Sequence, residues 1–277
     1  MSSLRRRVLA SHKLNRLRTA WRGLLHPCPE PNFTFIFGCQ RSGTTLLRHL
    51  IGLDSRVQDY GEGDPPYFWQ VPNEDPRYIR LRDDEEIERL RRKERSPIVL
   101  LKPLHDTQCA RHLLDRWPNS RAIFIHRHYR QVILSHLNYY RGRYEPMAYI
   151  SDLLQLQPQS WKAQNLDPSM ADFVRQHGHL ADNASNGFAL LWLARNSLRF
   201  SQNHARLIGL GYASLVEQPQ RCLQILGAHL GLTFPAHLAL IPQERLRDQA
   251  LPQELAPPLL EACELMMQRL NEASALP

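Results

Sequence analysis

Phe33 to Leu50, FTFIFGCQRSGTTLLRHL, allows few folds. A short apolar run rich in β-formers empties into a glycine turn, and a segment of helical period follows. The stretch therefore predicts a strand, a loop and a helix start. Gly38 and Gly43 bracket Cys39, Gln40, Arg41 and Ser42, and Thr44 and Thr45 follow, giving the glycine spacing of a phosphate-cradling GxxxxGK[ST] loop. Glycine lets the backbone turn back so that successive N–H groups aim at one anion. The helix behind the loop adds the positive end of its dipole. A generic phosphate loop with no enzyme attached is the bland alternative.

The departure from that pattern is informative. A nucleotide triphosphatase keeps Lys directly after the second glycine, where it reaches the β- and γ-phosphates, and then a hydroxyl for Mg²⁺. Here that position is Thr44, and the cation sits inside the loop as Arg41. A guanidinium there suits a bidentate grip on a tetrahedral oxyanion better than closure over a metal-bound triphosphate tail.

Gln40 to Arg48, QRSGTTLLR, resembles the 5′-phosphosulfate loop of the PAPS-dependent sulfotransferases. PAPS, 3′-phosphoadenosine 5′-phosphosulfate, carries an activated sulfuryl group on a nucleotide. A second stretch resembles the family's 3′-phosphate motif: RAIFIHRHYRQVILSHLNYY, Arg121 to Tyr140, predicts a strand over 122–125 and a helix after Tyr129. Arg127 closes that strand and Ser135 stands eight residues on, with Arg130 and Val132 also in register. His128, Tyr129 and Gln131 replace the family's commoner residues in the intervening turn. The resemblance implies that Arg41, Ser42, Gly43, Thr44 and Thr45 hold the 5′-phosphosulfate, while Arg127 and Ser135 hold the 3′-phosphate. A bidentate guanidinium plus a hydroxyl donor is what a terminal phosphate monoester needs. No metal is required, because cationic side chains do the neutralising. Further on, GYASLVEQPQRCLQILGAHLGL resembles the family's late segment, and Tyr212 aligns with its tyrosine.

Between the two motifs lie the candidates for moving a proton. Tyr60 to Trp69, YGEGDPPYFW, carries a Gly-Glu pair similar to one that follows the loop helix in protein-tyrosine and many bacterial members, and the resemblance makes Glu62 the general base. An acceptor hydroxyl must lose its proton as sulfur arrives, and Tyr67, Phe68 and Trp69 would partly desolvate such a carboxylate. A solvated turn is the alternative, and Asp64 the nearest rival. Ile98 to Leu101 is an apolar run without alternation, as expected of an inner parallel strand. Lys102 and His105 follow it at the carboxyl end, where open α/β sheets place their ligands. KPLHDTQ resembles the family's segment here: Lys102 matches the Lys that neutralises the leaving phosphate. His105 is the second candidate base, one residue out of register with the histidine of cytosolic members.

The formal charge of +8 favours anionic partners. Much of it comes from the first 26 residues, where Arg5, Arg6, Arg7, Lys13, Arg16, Arg18 and Arg22 meet no acid before Glu30. Leu4, Val8, Leu14, Leu17, Trp21 and Leu25 recur near helical spacing, so residues 1–30 predict a basic helical arm. That arm either packs on the domain or lies on anionic lipid. Pro27, Pro29 and Pro31 end it. Five cysteines, odd in number and without paired metal spacing, read as reduced thiols. No run approaches the roughly 18 apolar residues of a membrane span. The expectation is a cytoplasmic bacterial enzyme, peripheral to the membrane where the arm lies on lipid.

The fold expected is α/β, a P-loop-like three-layer sandwich with a parallel sheet of about five strands flanked by helices. Its domain covers 31–277, with 141–186 as a candidate acceptor-binding flap, 73–95 as a solvated charged helix, and 184–204 as a long helix around Trp192 and Arg195. Arg245 and Arg247 are candidates for an additional phosphate clamp. The function expected is transfer of the sulfuryl group of PAPS to a hydroxyl on a sugar, lipid, phenol or secondary metabolite, releasing 3′,5′-ADP. No nucleic acid is expected as partner. The rivals are a P-loop kinase or NTPase and a non-enzymatic nucleic-acid or membrane-binding module.

Overall fold

The computed structural model describes residues 19, 21, 22, 25, 28, 30–62, 66–71, 78–140, 146–234 and 250–276. The predicted strand is β1 (Asn32–Gly38), and the loop after it starts α1 (Thr44–Ile51). Then come β2 (Val57–Tyr60), β3 (Phe68–Gln70), β4 (Ile79–Leu81), α2 (Asp84–Arg91) and β5 (Ile98–Leu101). A 3-10 turn over Leu104–Cys109 leads to α3 (Ala110–Arg116), β6 (Arg121–His126) and α4 (Tyr129–Tyr140). Three helices follow, α5 (Pro146–Leu154), α6 (Pro168–His177) and α7 (Ala184–Ser201). The chain closes with β7 (Leu207–Gly211), α8 (Tyr212–Glu217), α9 (Pro219–Leu230), α10 (Pro257–Glu272) and β8 (Ser274–Leu276).

Six strands form one parallel sheet in the order β2-β5-β1-β6-β7-β8. The central strands are apolar on both faces because both are covered. Phe33, Phe35 and Phe37 turn one way with Val99, Leu101 and Phe124, against α3, α4, α7 and α10. Ile36 turns the other way with Leu100, Ile123 and Ile125, against α1, α8 and α9. This is the three-layer arrangement that a run of inner parallel strands requires. After β1 the chain builds one side of the sheet, β2 then β5, and afterwards the other, β6, β7 and β8. The switch point, where ligands lie in such sheets, is therefore at β1.

The sheet has six strands where about five are expected. β8 is only Ser274–Leu276, and its pairing with β7 is shifted in register between Gly209 and Leu210. A three-residue Ser-Ala-Leu segment carries no run of β-formers. The charged stretch 73–95 is not one helix either. Ile79–Leu81 pairs antiparallel with Phe68–Gln70, and the helix starts only at Asp84. Asp83 sets that start, its carboxylate accepting from the Glu86 N–H at 2.8 Å. Residues 146–186 hold α5 and α6, with Trp161 and Lys162 fully buried beside them. Most of the basic arm lies outside the described residues, as do Asp64, Arg245 and Arg247. Of the arm's described residues, the Thr19 hydroxyl meets the Val57 carbonyl, and Trp21 and Leu25 are exposed.

Candidate active site

The carboxyl ends of the strands line up the residues singled out in the sequence. Across the sheet stand Glu62 after β2, Lys102 after β5, the glycine loop after β1, Arg127 after β6 and Tyr212 after β7.

The loop needs both glycines. Gly38 has φ +142°, and a Cβ on it would lie 2.3 Å from the Ile125 carbonyl oxygen on the neighbouring strand. Gly43 has φ +91°, and a Cβ there would lie 2.2 Å from the Tyr212 ring. Arg41 also adopts a left-handed conformation, at φ 70°. Gly43 caps α1, with no side chain capping the helix's first N–H groups and no acid in its first turn. Ser42 is fully buried, and its Oγ, like the Gln40 amide, has no hydrogen-bond partner among the described residues. Buried polar atoms are nearly always satisfied, so these groups are available to a polar partner. Thr44 is buried and Thr45 exposed at the helix start. Burial pushes the Cys39 thiol up to about 12, which makes it an inert packing group.

Arg127 and Ser135 come to the same edge. Arg127 donates through Nε to Gln131 at 2.8 Å, and its Nη1 meets the Arg41 carbonyl at 3.5 Å. Its guanidinium stacks 4.4 Å from the Tyr212 ring centre, so Tyr212 is packed between Arg127 and Gly43. The Trp192 indole N–H holds the Arg127 carbonyl at 3.1 Å. Arg41 turns toward α4: its Nε donates to Ser135 at 2.9 Å, and its guanidinium covers Tyr139 at 4.7 Å. Side chains expected at opposite ends of one nucleotide thus adjoin. Next to Ser135, His136 is buried and stacked on Phe188, and burial, then the Arg41 charge, push its imidazole down to about 3.

On the other side of the loop, the pairing of Tyr60 with Leu101 sets Glu62 beside Lys102. Lys102 Nζ binds Glu62 Oε2 at 2.9 Å, and the Leu104 N–H donates to Oε1 at 3.3 Å. The lysine side chain is 7% exposed and the glutamate 24%, so the carboxylate keeps an open side. Among the described residues, the aromatics Tyr67 and Trp69 expected around Glu62 bond elsewhere. The Tyr60 and Tyr67 hydroxyls both donate to Glu94, whose carboxyl is raised by burial, and Trp69 donates to the Leu81 carbonyl. His105 is tied into the fold: Nδ1 lies 3.0 Å from the Ile79 carbonyl and its ring 4.5 Å from Trp161, and burial holds its imidazole below the usual range.

Two buried cations support this edge; Arg195 is legible in the sequence only as part of a long helix, and Lys162 not at all. Arg195 in α7 is fully buried and donates to Leu104 and Trp161 carbonyls at 2.9 and 2.7 Å; burial brings it down to about 10. Lys162 is fully buried, bonded to Asp152 at 2.8 Å and to the Tyr78 hydroxyl at 2.6 Å. Their spacings fit no motif. Among the described residues no three His, Cys, Asp or Glu side chains cluster as metal ligands. No helix among them is long and apolar enough to cross a membrane.

No protein-family model matches the chain, and no curated protein matches it. Solved structures do. A sulfotransferase from Alicyclobacillus acidocaldarius superposes with a TM-score of 0.51 at 15% identity, over 90% of this chain and 98% of that one. The sulfotransferase domain from the curacin biosynthetic pathway gives 0.51 at 16%, over 90% and 100%. With its six-stranded parallel sheet, its helices on both faces and its glycine loop at the switch point, this chain has the fold of the sulfotransferases.

Proposed function

We propose that this chain is a PAPS-dependent sulfotransferase that transfers the sulfuryl group to an acceptor hydroxyl and releases 3′,5′-ADP. One observation carries the reading: a carboxylate, a lysine, a glycine loop and a second arginine stand in that order across the carboxyl ends of the strands, the carboxylate at one end and the cations behind it. The residues fit a bisphosphorylated nucleotide. The loop offers an uncapped helix start and the orphaned Ser42 hydroxyl, and Arg127 stands one strand away.

When bound, PAPS supplies a sulfuryl group on a phosphate leaving group. Around it, Arg41, Ser42, Gly43, Thr44 and Thr45 would hold the 5′ end, and Arg127 and Ser135 the 3′-phosphate, with Tyr212 bracing loop and arginine together. Glu62 is the group that takes the acceptor proton. It is aimed by two donors, and its open side faces the incoming hydroxyl. Lys102, bonded to that carboxylate, and Arg41 are the cations available to the charge that moves onto phosphate oxygen. Removing either costs on the order of 10²- to 10³-fold in turnover, as for a lost oxyanion donor. His105 serves less well as base because its ring is engaged with Ile79 and Trp161. No metal enters this scheme.

The acceptor is a hydroxyl compound, a sugar, lipid, phenol or secondary metabolite, met in the cytoplasm. Contact of the basic arm with an anionic membrane is a separate element of the proposal, argued from the arm's charge alone. The test is transfer of radiolabelled sulfate from PAPS to fractionated cell extract, in chelator, by wild type and Glu62→Gln. Label transfer by wild type and its loss in the variant are expected. Mg²⁺-dependent ATP turnover without 3′,5′-ADP binding would overturn the reading in favour of a kinase, and equal transfer by Glu62→Gln would overturn the base.

A further inference from the structure

The turn that presents Glu62 is held from below by the helix that follows the glycine loop. Arg48 lies one turn into α1, and its Nε is 3.1 Å from each carboxylate oxygen of Asp59 on β2. Asp59 is 2% exposed in its side chain and Arg48 17%, so the pair is largely shielded from water. Two residues after Asp59 comes Gly61. A Cβ on Gly61 would lie 2.1 Å from Arg48 Nη1 and 2.9 Å from its Cζ. Its φ is not in the left-handed region, so what glycine provides here is room: the backbone passes directly over the guanidinium, which would have to shift to admit a Cβ. The next residue is Glu62.

We propose that Arg48, clamped by Asp59 and roofed by Gly61, is a positioning residue that fixes the Glu62 carboxylate against Lys102 and couples its place to the glycine loop. The inference rests on the proposed function for Glu62, but its geometry stands apart from it. β2 is the edge strand of the sheet, bonded only to β5 among the described strands, and an edge strand alone is a poor platform for a catalytic side chain. Arg48 ties that edge across to α1, whose first turn belongs to the loop. A shift of α1 on ligand binding would therefore move the floor of the Gly61–Glu62 turn. Arginine suits the task, since a flat guanidinium can bond a carboxylate and still lie under a backbone, which an ammonium on a flexible stem does not do. Misplacing a catalytic group by about 1 Å costs on the order of 100-fold in rate.

The test compares wild type with Arg48→Met, Arg48→Lys and Gly61→Ala. Three readings are taken: affinity for 3′,5′-ADP by calorimetry, transfer of label from PAPS, and the Glu62 side-chain carboxyl signal in glutamate-labelled protein by ¹³C NMR, assigned with Glu62→Gln. Expected for Arg48→Met and Gly61→Ala are 3′,5′-ADP affinity within about threefold of wild type, transfer reduced about 10- to 100-fold, and a Glu62 signal that no longer moves when Lys102→Met is added. Arg48→Lys should recover part of the rate. Should Gly61→Ala fail to fold, Arg48→Met and Arg48→Lys decide. Transfer and Glu62 signal unchanged in Arg48→Met would overturn the proposal, as would equal losses of nucleotide affinity and transfer, which mark a purely structural pair. If wild type binds 3′,5′-ADP and transfers nothing, the proposed function fails, and the coupling of the Glu62 signal to Arg48 still decides the positioning role by itself.

Discussion

Arg41 donates to the Ser135 hydroxyl at 2.9 Å, joining two motifs that lie 94 positions apart. The loop arginine and the helix serine therefore form one wall, with the Arg127 guanidinium against the Arg41 carbonyl behind it. Residues that share a partner do not contribute independently. Replacing Arg127 by Ala is expected to weaken 3′,5′-ADP binding about 100-fold, as the loss of a charge-assisted bidentate contact does. Ser135→Ala should cost about tenfold, and Arg41→Ala with Ser135→Ala less than the two combined. Calorimetry without metal measures all four proteins; strictly additive losses would mean the wall does not act as a unit.

Gly43→Ala puts a methyl group into the Tyr212 ring at a φ that L-residues resist. The variant should lose about 2 kcal/mol or more of stability, seen as a lower urea midpoint. Adding Tyr212→Ala should restore part of it by removing the clash, but the strained φ stays.

Lys162 and Asp152 form a buried pair whose ammonium is also bounded by the Tyr78 and Tyr149 rings at 4.8 and 4.5 Å. Taking away one partner leaves the other charged and dry. Asp152→Leu should therefore cost about 3 to 5 kcal/mol, while Asp152→Leu with Lys162→Met should cost less than that single change. Equilibrium denaturation of the two variants checks the inversion, and a double variant weaker than the single one would sink it.

His126 and His136 predict how the fold responds to acid. Burial first, and then the Arg199 and Arg41 charges respectively, bring their imidazoles down from 6.5 to about 4 and about 3. Below pH 6.5 the unfolded chain then binds more protons than the folded one. Stability is full above that value and declines as pH falls toward 4 and then 3. The loss between pH 7 and 5 is on the order of 2 kcal/mol for each imidazole. Thermal melts across that range should show it, and His136→Leu should flatten the slope.

Local pattern made much of the fold legible. The run FTFIFG followed by GTT, the four apolar residues before Lys102 and the strand leading to Arg127 each carry their own boundary, and Pro219 and Gly231 bracket a helix found at Pro219–Leu230. Ile79–Leu81 was hidden because three residues amid dense charge look like the helix beside them. β8 was hidden because its pairing is supplied by β7 and not by its own side chains. The site residues were legible as an order along the sheet but not as partners. That Arg41 would meet Ser135, or that Tyr67 would serve Glu94 and not Glu62, depends on side-chain directions set by packing far away in sequence.

The order of strand ends also has a spatial corollary. On the proposed reading the proton acceptor stands at one rim of the sheet while the nucleotide contacts run from its middle strand β1 across β6 to β7, toward the other rim. Substrates would then enter from opposite flanks and meet over β5. Remodelling β3 and β4, which pack on the 3-10 turn after β5, would swap one class of alcohol for another while nucleotide affinity stays as it is.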